Sequence, residues 1–199
     1  MHKNILLVGE GGQGIQAIAK IIAEAAFASK KHVSYLPNFG VEQRGGVSLA
    51  FIQISDNLIS FPKFHKADIV VLLSERGAER VERHFKKETV IIFDNSLISE
   101  KKLANYDLEK IAVPAQMYAK EKLIPKAFNI IMLGALMAEL ETEPIKYKTV
   151  KKELEKFFAD KIKKEPQLKH FNQRALELGF EVMKSLKKET TWRLKILEK

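Results

Sequence analysis

The run Gly9-Glu10-Gly11-Gly12-Gln13-Gly14 constrains this 199-residue chain more than any other feature. It follows Asn4–Val8, a short apolar segment that reads as a buried strand. It precedes residues 14–28, where Ile15, Ile18, Ile22 and Ala25 recur at the spacing of one helix face. Glycine in such a turn permits positive φ and lets a ligand approach bare backbone. The free N–H groups at the helix start then attract phosphate or carboxylate. The spacing also satisfies the dinucleotide fingerprint, which needs an acid about 20 residues on to hold a ribose hydroxyl. Here that stretch is Ser34-Tyr35-Leu36-Pro37, with no acid and no arginine for a 2′-phosphate. On this motif alone, a dinucleotide site, another anion site and a turn that merely packs helix on sheet are all open.

The rest of the chain fixes the fold class. Val33–Leu36, Val47–Ile54, Ile69–Leu73, Thr89–Phe93 and Lys110–Val113 read as further strands, with a charged helix over 76–85. Ser55-Asp56-Asn57 reads as a hairpin turn into Leu58-Ile59-Ser60, which predicts an antiparallel pair. Residues 127–140 predict a helix apolar nearly all round, in need of cover from a core or an interface. Residues 147–162 and 167–186 predict two amphipathic helices linked around Pro166. The alternation predicts an α/β domain: a mostly parallel, Rossmann-like sheet with an antiparallel hairpin and a helical C-terminal part. The chain reads as a single domain over 1–199, with a core at about 4–180 and a basic helical tail over 181–199.

Composition removes several chemistries. Cysteine is absent, which excludes a disulfide scaffold, thiolate-ligated zinc, an iron–sulfur cluster held by this chain's thiolates, and a cysteine nucleophile. No apolar run approaches the ~18 residues of a membrane span, and the expected location is the cytoplasm. The net charge of +9 invites a nucleic-acid reading. Residues 1–144, however, carry 18 basic and 17 acidic side chains, whereas residues 145–199 carry 16 and 8. The excess therefore lies away from the glycine motif, among lysines and glutamates at helical spacing. It is a solvated helix face or a docking surface for an anionic partner. His2, His32, His65, His84 and His170 are scattered and show no metal-ligand spacing. Ser48 and Ser74 have no base partner visible in sequence. Asp94, just past a strand, suits a turn or a helix cap better than a ligand.

A second motif follows the first, Pro37-Asn38-Phe39-Gly40-Val41-Glu42-Gln43-Arg44-Gly45-Gly46-Val47-Ser48. An arginine beside two glycines can present a guanidinium next to open backbone donors, or can pair with Glu42 or Glu10. Together, the glycine turn and the Pro-x-x-Gly-x-Glu-x-Arg-Gly-Gly segment resemble the gamma subunit of 2-oxoacid:ferredoxin oxidoreductases. Ala67-Asp68, Asn129…Leu133-Gly134-Ala135 and Asn172…Ala175…Gly179 fit the same resemblance, which spans about residues 4–180.

The resemblance implies a role in CoA-dependent oxidative decarboxylation of a 2-oxoacid to acyl-CoA, CO2 and reduced ferredoxin. It implies alpha, beta and delta-type partner subunits that hold thiamine diphosphate, Mg and iron–sulfur clusters, with ferredoxin reached through the complex. It implies coenzyme A as co-substrate, no catalytic residue, metal or cofactor on this chain alone, and no activity in isolation. The residues it places at the coenzyme A side are Gly9, Gly11, Gly12, Gln13, Gly14, Arg44, Gly45, Gly46 and Ser48. Glu42 and Ser48 suit a 2-oxoglutarate or branched-chain type, and Ile5–Ile15 looks equally like the indolepyruvate type. The competing expectations are a free-standing NAD-type Rossmann protein and a basic nucleic-acid-associated protein.

Overall fold

A computed structural model of the chain describes residues 1–39, 46–140 and 145–197, with side chains as far as Lys188 except that of Phe39. Six strands form one sheet in the order β2-β3-β1-β4-β5-β6. They are β1 His2–Glu10, β2 His32–Phe39, β3 Val47–Ser55, β4 Ile69–Leu72, β5 Val90–Asp94 and β6 Glu109–Val113. β1, β4, β5 and β6 pair in parallel, while β3 runs antiparallel to both β1 and β2. The helices are α1 Ile15–Ala28, α2 Glu75–Val81, α3 Ala115–Lys122, α4 Phe128–Glu139, α5 Tyr147–Phe157, α6 Ala159–Lys164 and α7 Gln167–Leu197.

The antiparallel hairpin is therefore β2–β3, and residues 58–60 form no strand. The reason is edge availability. β3 is buried along its whole length and both its edges are taken, by β1 and by β2, so nothing is left for a further strand to pair with. Asp56 is instead drawn to Lys31, which with the terminal ammonium holds its carboxyl at about 2.

Alternation along the strands builds two cores. Ile5, Leu7, Ile52, Ile54, Val71 and Ile92 face α1, α4 and α7. Leu6, Val8, Leu49, Phe51, Val70 and Phe93 face α2 and the turns around Phe64, Phe85 and Leu103. Helix α4 lies under α7. The cover that its all-round apolar surface demands comes from this chain's own sheet and helices, and residues 130–138 are all buried. Of the two covers the sequence leaves open, a core and an interface, the core supplies it for these residues.

The predicted helix over 147–162 breaks at Phe158, whose φ of −96° and ψ of 10° separate α5 from α6. Helix α3 has no sequence expectation behind it, because it lacks an apolar stripe. Its start is fixed from elsewhere: the Gln116 N–H donates to the Asp94 carboxylate at 2.8 Å.

His84 sits 4 % exposed, edge-on to the buried Phe51, with Nδ1 2.8 Å from the His65 carbonyl oxygen. Burial pushes its pKa below the ordinary 6.5; the His65 carbonyl opposes this, and the charges of Arg83, Lys63 and His65 add to it. The fold thus holds the ring neutral, and the unfolded chain binds the proton more readily. Stability is full above the unfolded pKa and is lost as pH falls below about 6.5. We expect urea midpoints to fall from pH 7 to pH 5 and this slope to shrink in His84→Gln. Equal slopes in the two proteins contradict the assignment.

Candidate functional site

The two glycine motifs meet at one end of the sheet. Gly9 lies opposite Ser48 and Glu10 opposite Val47 in the β1–β3 ladder. The Gly11 N–H then donates to the Gly46 carbonyl oxygen at 3.0 Å, which carries the pairing into the turn. Gly46, Ser48 and the whole of Gly9–Gly14 are thereby brought together at the carboxyl end of β1, where α/β sheets collect ligands. Arg44 and Gly45, with Glu42, lie outside the described residues.

The turn needs its glycines. Gly12 and Gly14 have φ of +95° and +81°, in the left-handed region. A Cβ at Gly9 would come within 2.7 Å of Gln13 Oε1 and Ile15 Cγ1. A Cβ at Gly14 would overlap the Asn129 amide nitrogen in the first turn of α4. Asn129 Oδ1 is buried with no hydrogen-bond partner. Asn129 belongs to the site and sequence reasoning gave it no role there; its only signal was its place in the family pattern.

Gln13 acts on the turn itself. Its Oε1 accepts the Glu10 N–H at 2.7 Å and its Nε2 donates to the Leu73 carbonyl at 2.9 Å, which ties the turn to the end of β4. The Ser74 hydroxyl donates to Glu10 Oε1 at 2.7 Å, and Ser74 Oγ accepts the Gly77 N–H as the N-cap of α2. Ser48 is buried, and its Oγ accepts from Gln16 Nε2 at 2.9 Å. Gln16 also donates to the Leu49 carbonyl and accepts from the Tyr35 hydroxyl at 2.6 Å. Ser48 therefore anchors α1 to β3. Ser48→Ala leaves one donor of a part-buried amide unmatched, and we expect it to cost about 1–2 kcal/mol in urea unfolding.

What the turn offers a ligand is backbone. Among the described residues, the N–H groups of Gly12, Gly14, Ile15 and Gln16 have no hydrogen-bond acceptor. Helix α1 has no side-chain N-cap and no acid in its first turn. Those donors and the positive end of the helix dipole suit an anionic group.

Asp94, at the end of β5, is fully buried. Its carboxylate accepts the Ser96 N–H at 2.9 Å as well as that of Gln116. Burial raises its pKa against the lowering effect of those hydrogen bonds. The turn and cap reading holds. No group of three or more His, Asp or Glu among the described residues is arranged to hold a metal ion. No helix among them is long and apolar enough to cross a membrane. β3 separates β2 from β1, so the end of β2 is not beside the glycine turn as a dinucleotide ribose would require.

Residues 4–182 match the family described as pyruvate ferredoxin/flavodoxin oxidoreductase. The 2-oxoglutarate synthase subunit KorC of Methanocaldococcus jannaschii is 34% identical over 188 residues, which covers 94% of this chain and 96% of that one. Among solved structures, the gamma subunit of a keto/oxoacid ferredoxin oxidoreductase from Geobacter sulfurreducens shares the fold. The TM-score is 0.76 at 24% identity, over 92% of this chain and 99% of that one. A 2-oxoglutarate:ferredoxin oxidoreductase from Magnetococcus marinus, with 2-oxoglutarate, coenzyme A and succinyl-CoA bound, matches with a TM-score of 0.75 at 25% identity. That match covers 93% of this chain and 31% of the other, so the present chain corresponds to about a third of it.

Proposed function

The chain belongs to the pyruvate ferredoxin/flavodoxin oxidoreductase family, and on that premise we propose that it is the gamma-type subunit of a cytoplasmic 2-oxoglutarate:ferredoxin oxidoreductase. The observation that carries this reading is the match to a 2-oxoglutarate synthase subunit along nearly the full length of both chains. The complex converts a 2-oxoacid and coenzyme A to acyl-CoA, CO2 and reduced ferredoxin. The whole chain acts as one domain within it. Partner subunits of alpha, beta and delta type hold thiamine diphosphate with Mg and the iron–sulfur clusters. This chain has no cysteine with which to ligate a cluster. Thiamine diphosphate supplies the carbanion chemistry of decarboxylation when bound to those partners.

The role of this chain is to bind and orient coenzyme A. The open N–H groups of Gly12, Gly14, Ile15 and Gln16 meet a phosphate of the cofactor. Arg44, two residues before Gly46, adds a charge-assisted contact of about 1.5–3 kcal/mol. Gln13, Ser48 and Asn129 hold the turn in shape.

The test is a reconstituted complex carrying Arg44→Ala. We expect the KM for coenzyme A to rise about ten- to hundred-fold. Decarboxylation of 2-oxoglutarate followed with an artificial acceptor should stay largely intact. Unchanged coenzyme A kinetics in an intact complex end the ligand reading. The isolated chain should be colourless and should reduce no dye with 2-oxoglutarate and coenzyme A.

A further inference from the structure

The loop between β3 and β4 leaves the sheet at Ser55 and returns at Ile69. It lies at the amino ends of the parallel strands, the opposite end from the glycine turn. It is pinned rather than loose. Gln53 Nε2 donates to the Phe61 carbonyl at 2.5 Å, and the Ser34 hydroxyl donates to the Pro62 carbonyl at 3.3 Å. Phe64 is buried edge-on against Phe51. Lys66 Nζ donates to the carbonyls of Arg83 and Phe85, at 3.0 and 2.7 Å. Despite this anchoring, the loop turns two large apolar side chains outward: Leu58 is 82% exposed and Phe61 78%. Scattered exposed apolar residues are ordinary, but two on one rigid loop beside a charged concavity mark a contact surface.

The concavity is cationic. Its volume is about 480 Å³, and Lys63, His65, Lys66 and Arg83 line it above Phe64 and His84. Lys63 Nζ sits 5.1 Å from the Phe51 ring centroid, and Arg83 Nε points to His84 Nε2 at 3.4 Å. Among the described residues, no carboxylate forms an ion pair with Lys63, His65 or Arg83. Nearby acids are engaged elsewhere: Asp68 with Lys86 and the Asn4 N–H, Glu82 with the Tyr106 hydroxyl. An uncompensated cluster of this kind attracts carboxylates and sets orientation and on-rate at an interface.

We propose that Leu58, Phe61, Lys63, His65, Lys66 and Arg83 form a docking surface for an acidic segment of a companion protein subunit, separate from the glycine-turn site. The occupant brings aspartate or glutamate side chains to the concavity and an apolar side chain to Leu58 and Phe61. A second copy of this chain is a poor occupant, since each carries a net charge of +9 and the face itself is basic. The pairing of a concave basic pit with two apolar projections suits a polypeptide, which carries both chemistries along one strand of backbone. The inference rests on the subunit reading in one respect, that companion subunits exist.

The full-length chain, assembled with its companion subunits, is treated with a carbodiimide that couples lysine amines to carboxylates at zero length, and the products are mapped by mass spectrometry. We expect Lys63 or Lys66 joined to an aspartate or glutamate of a companion subunit, with the yield falling as salt is raised. Lys63→Glu with Arg83→Glu should weaken assembly at least about tenfold at low salt, and Phe61→Ser should weaken it with little salt dependence. All these positions are exposed, so the thermal midpoints of the isolated variants should match that of the parent chain. An intact complex with no cross-link from this loop, or one that assembles equally well with the charge reversal, overturns the proposal. So do cross-links only between two copies of this chain. Binding to duplex DNA or to vesicles of anionic phospholipid that Lys63→Glu with Arg83→Glu abolishes, while assembly is untouched, also overturns it. Failure of the chain to assemble with any 2-oxoacid oxidoreductase subunit overturns the functional reading as well, and so differs from failure of the surface alone.

Discussion

We expect Gly179→Ala to lower the thermal midpoint by about 6–12 °C, the equivalent of about 3 kcal/mol in a protein of this size. Gly179 lies within α7 where that helix crosses α4. A Cβ there would overlap the Ile131 carbonyl oxygen and come within 2.7 Å of the Ile131 carbonyl carbon and 3.0 Å of the Ala135 nitrogen. Gly134 answers it from α4: its Cβ would overlap the Leu176 carbonyl oxygen and lie 2.9 Å from the Phe180 nitrogen. The atoms struck are backbone, which cannot rotate aside, so the helices must separate. Separation loosens the α4–α7 contact around Ile131, Gly134 and Ala135, all of which are buried. The sign of the effect is diagnostic. In an exposed helix, alanine is about 1 kcal/mol more favourable than glycine, so propensity alone predicts stabilisation. A midpoint within 2 °C of the parent, roughly one kcal/mol or less, contradicts the close crossing. Gly134→Ala should behave alike, and the two together should fall short of additivity because they relieve one contact.

Gly14→Ala is the second large effect, and here the cost divides in two. The φ of +81° strains any L-residue by about 1–2 kcal/mol. Overlap with the Asn129 amide adds roughly 1–3 kcal/mol. Gly12 supplies the control, since it has a φ of +95° but nothing within 4 Å of an added Cβ. Gly12→Ala should therefore show the backbone cost alone. Asn129→Ala in the Gly14→Ala background should recover the difference, leaving a protein destabilised about as much as Gly12→Ala. If Gly14→Ala and Gly12→Ala unfold at the same urea concentration, Asn129 does not press on the turn. On the proposed role, Gly14→Ala should also raise the KM for coenzyme A in the assembled complex, because it tilts the N–H groups proposed to meet the ligand.

Much of this fold was legible because local patterns and tertiary demands agree. Residues 5–8, 69–72 and 90–93 are short apolar runs bounded by turn residues, and buried parallel strands require that. Helix α1 carries its apolar stripe at helical spacing and lies on the sheet as that stripe dictates. The glycine turn announced itself because only glycine adopts the φ of residues 12 and 14 without strain.

Other features are decided by neighbours far away in the chain, and no local pattern encodes them. Helix α3 is started by Asp94, 22 residues earlier, so its own residues carry little signal. Whether 58–60 pairs as a strand depends on β1 and β2 having already taken both edges of β3. With no edge to join, the segment becomes a loop that holds Leu58 and Phe61 in solvent. The apolar periodicity of α4 predicts burial but not by what; α7 supplies it through two facing glycines whose purpose is invisible until the helices cross. At the candidate site, the sequence by itself determined the turn, its glycines and the open donors of α1, because those follow from backbone conformation. Only the tertiary structure decided that Gly46 seals against Gly11, that Gln13 and Ser48 serve as braces, and that Asn129 reaches Gly14 from another helix. Each of those is a hydrogen bond or a contact between segments tens of residues apart, and such partners are chosen by the packing of the whole chain.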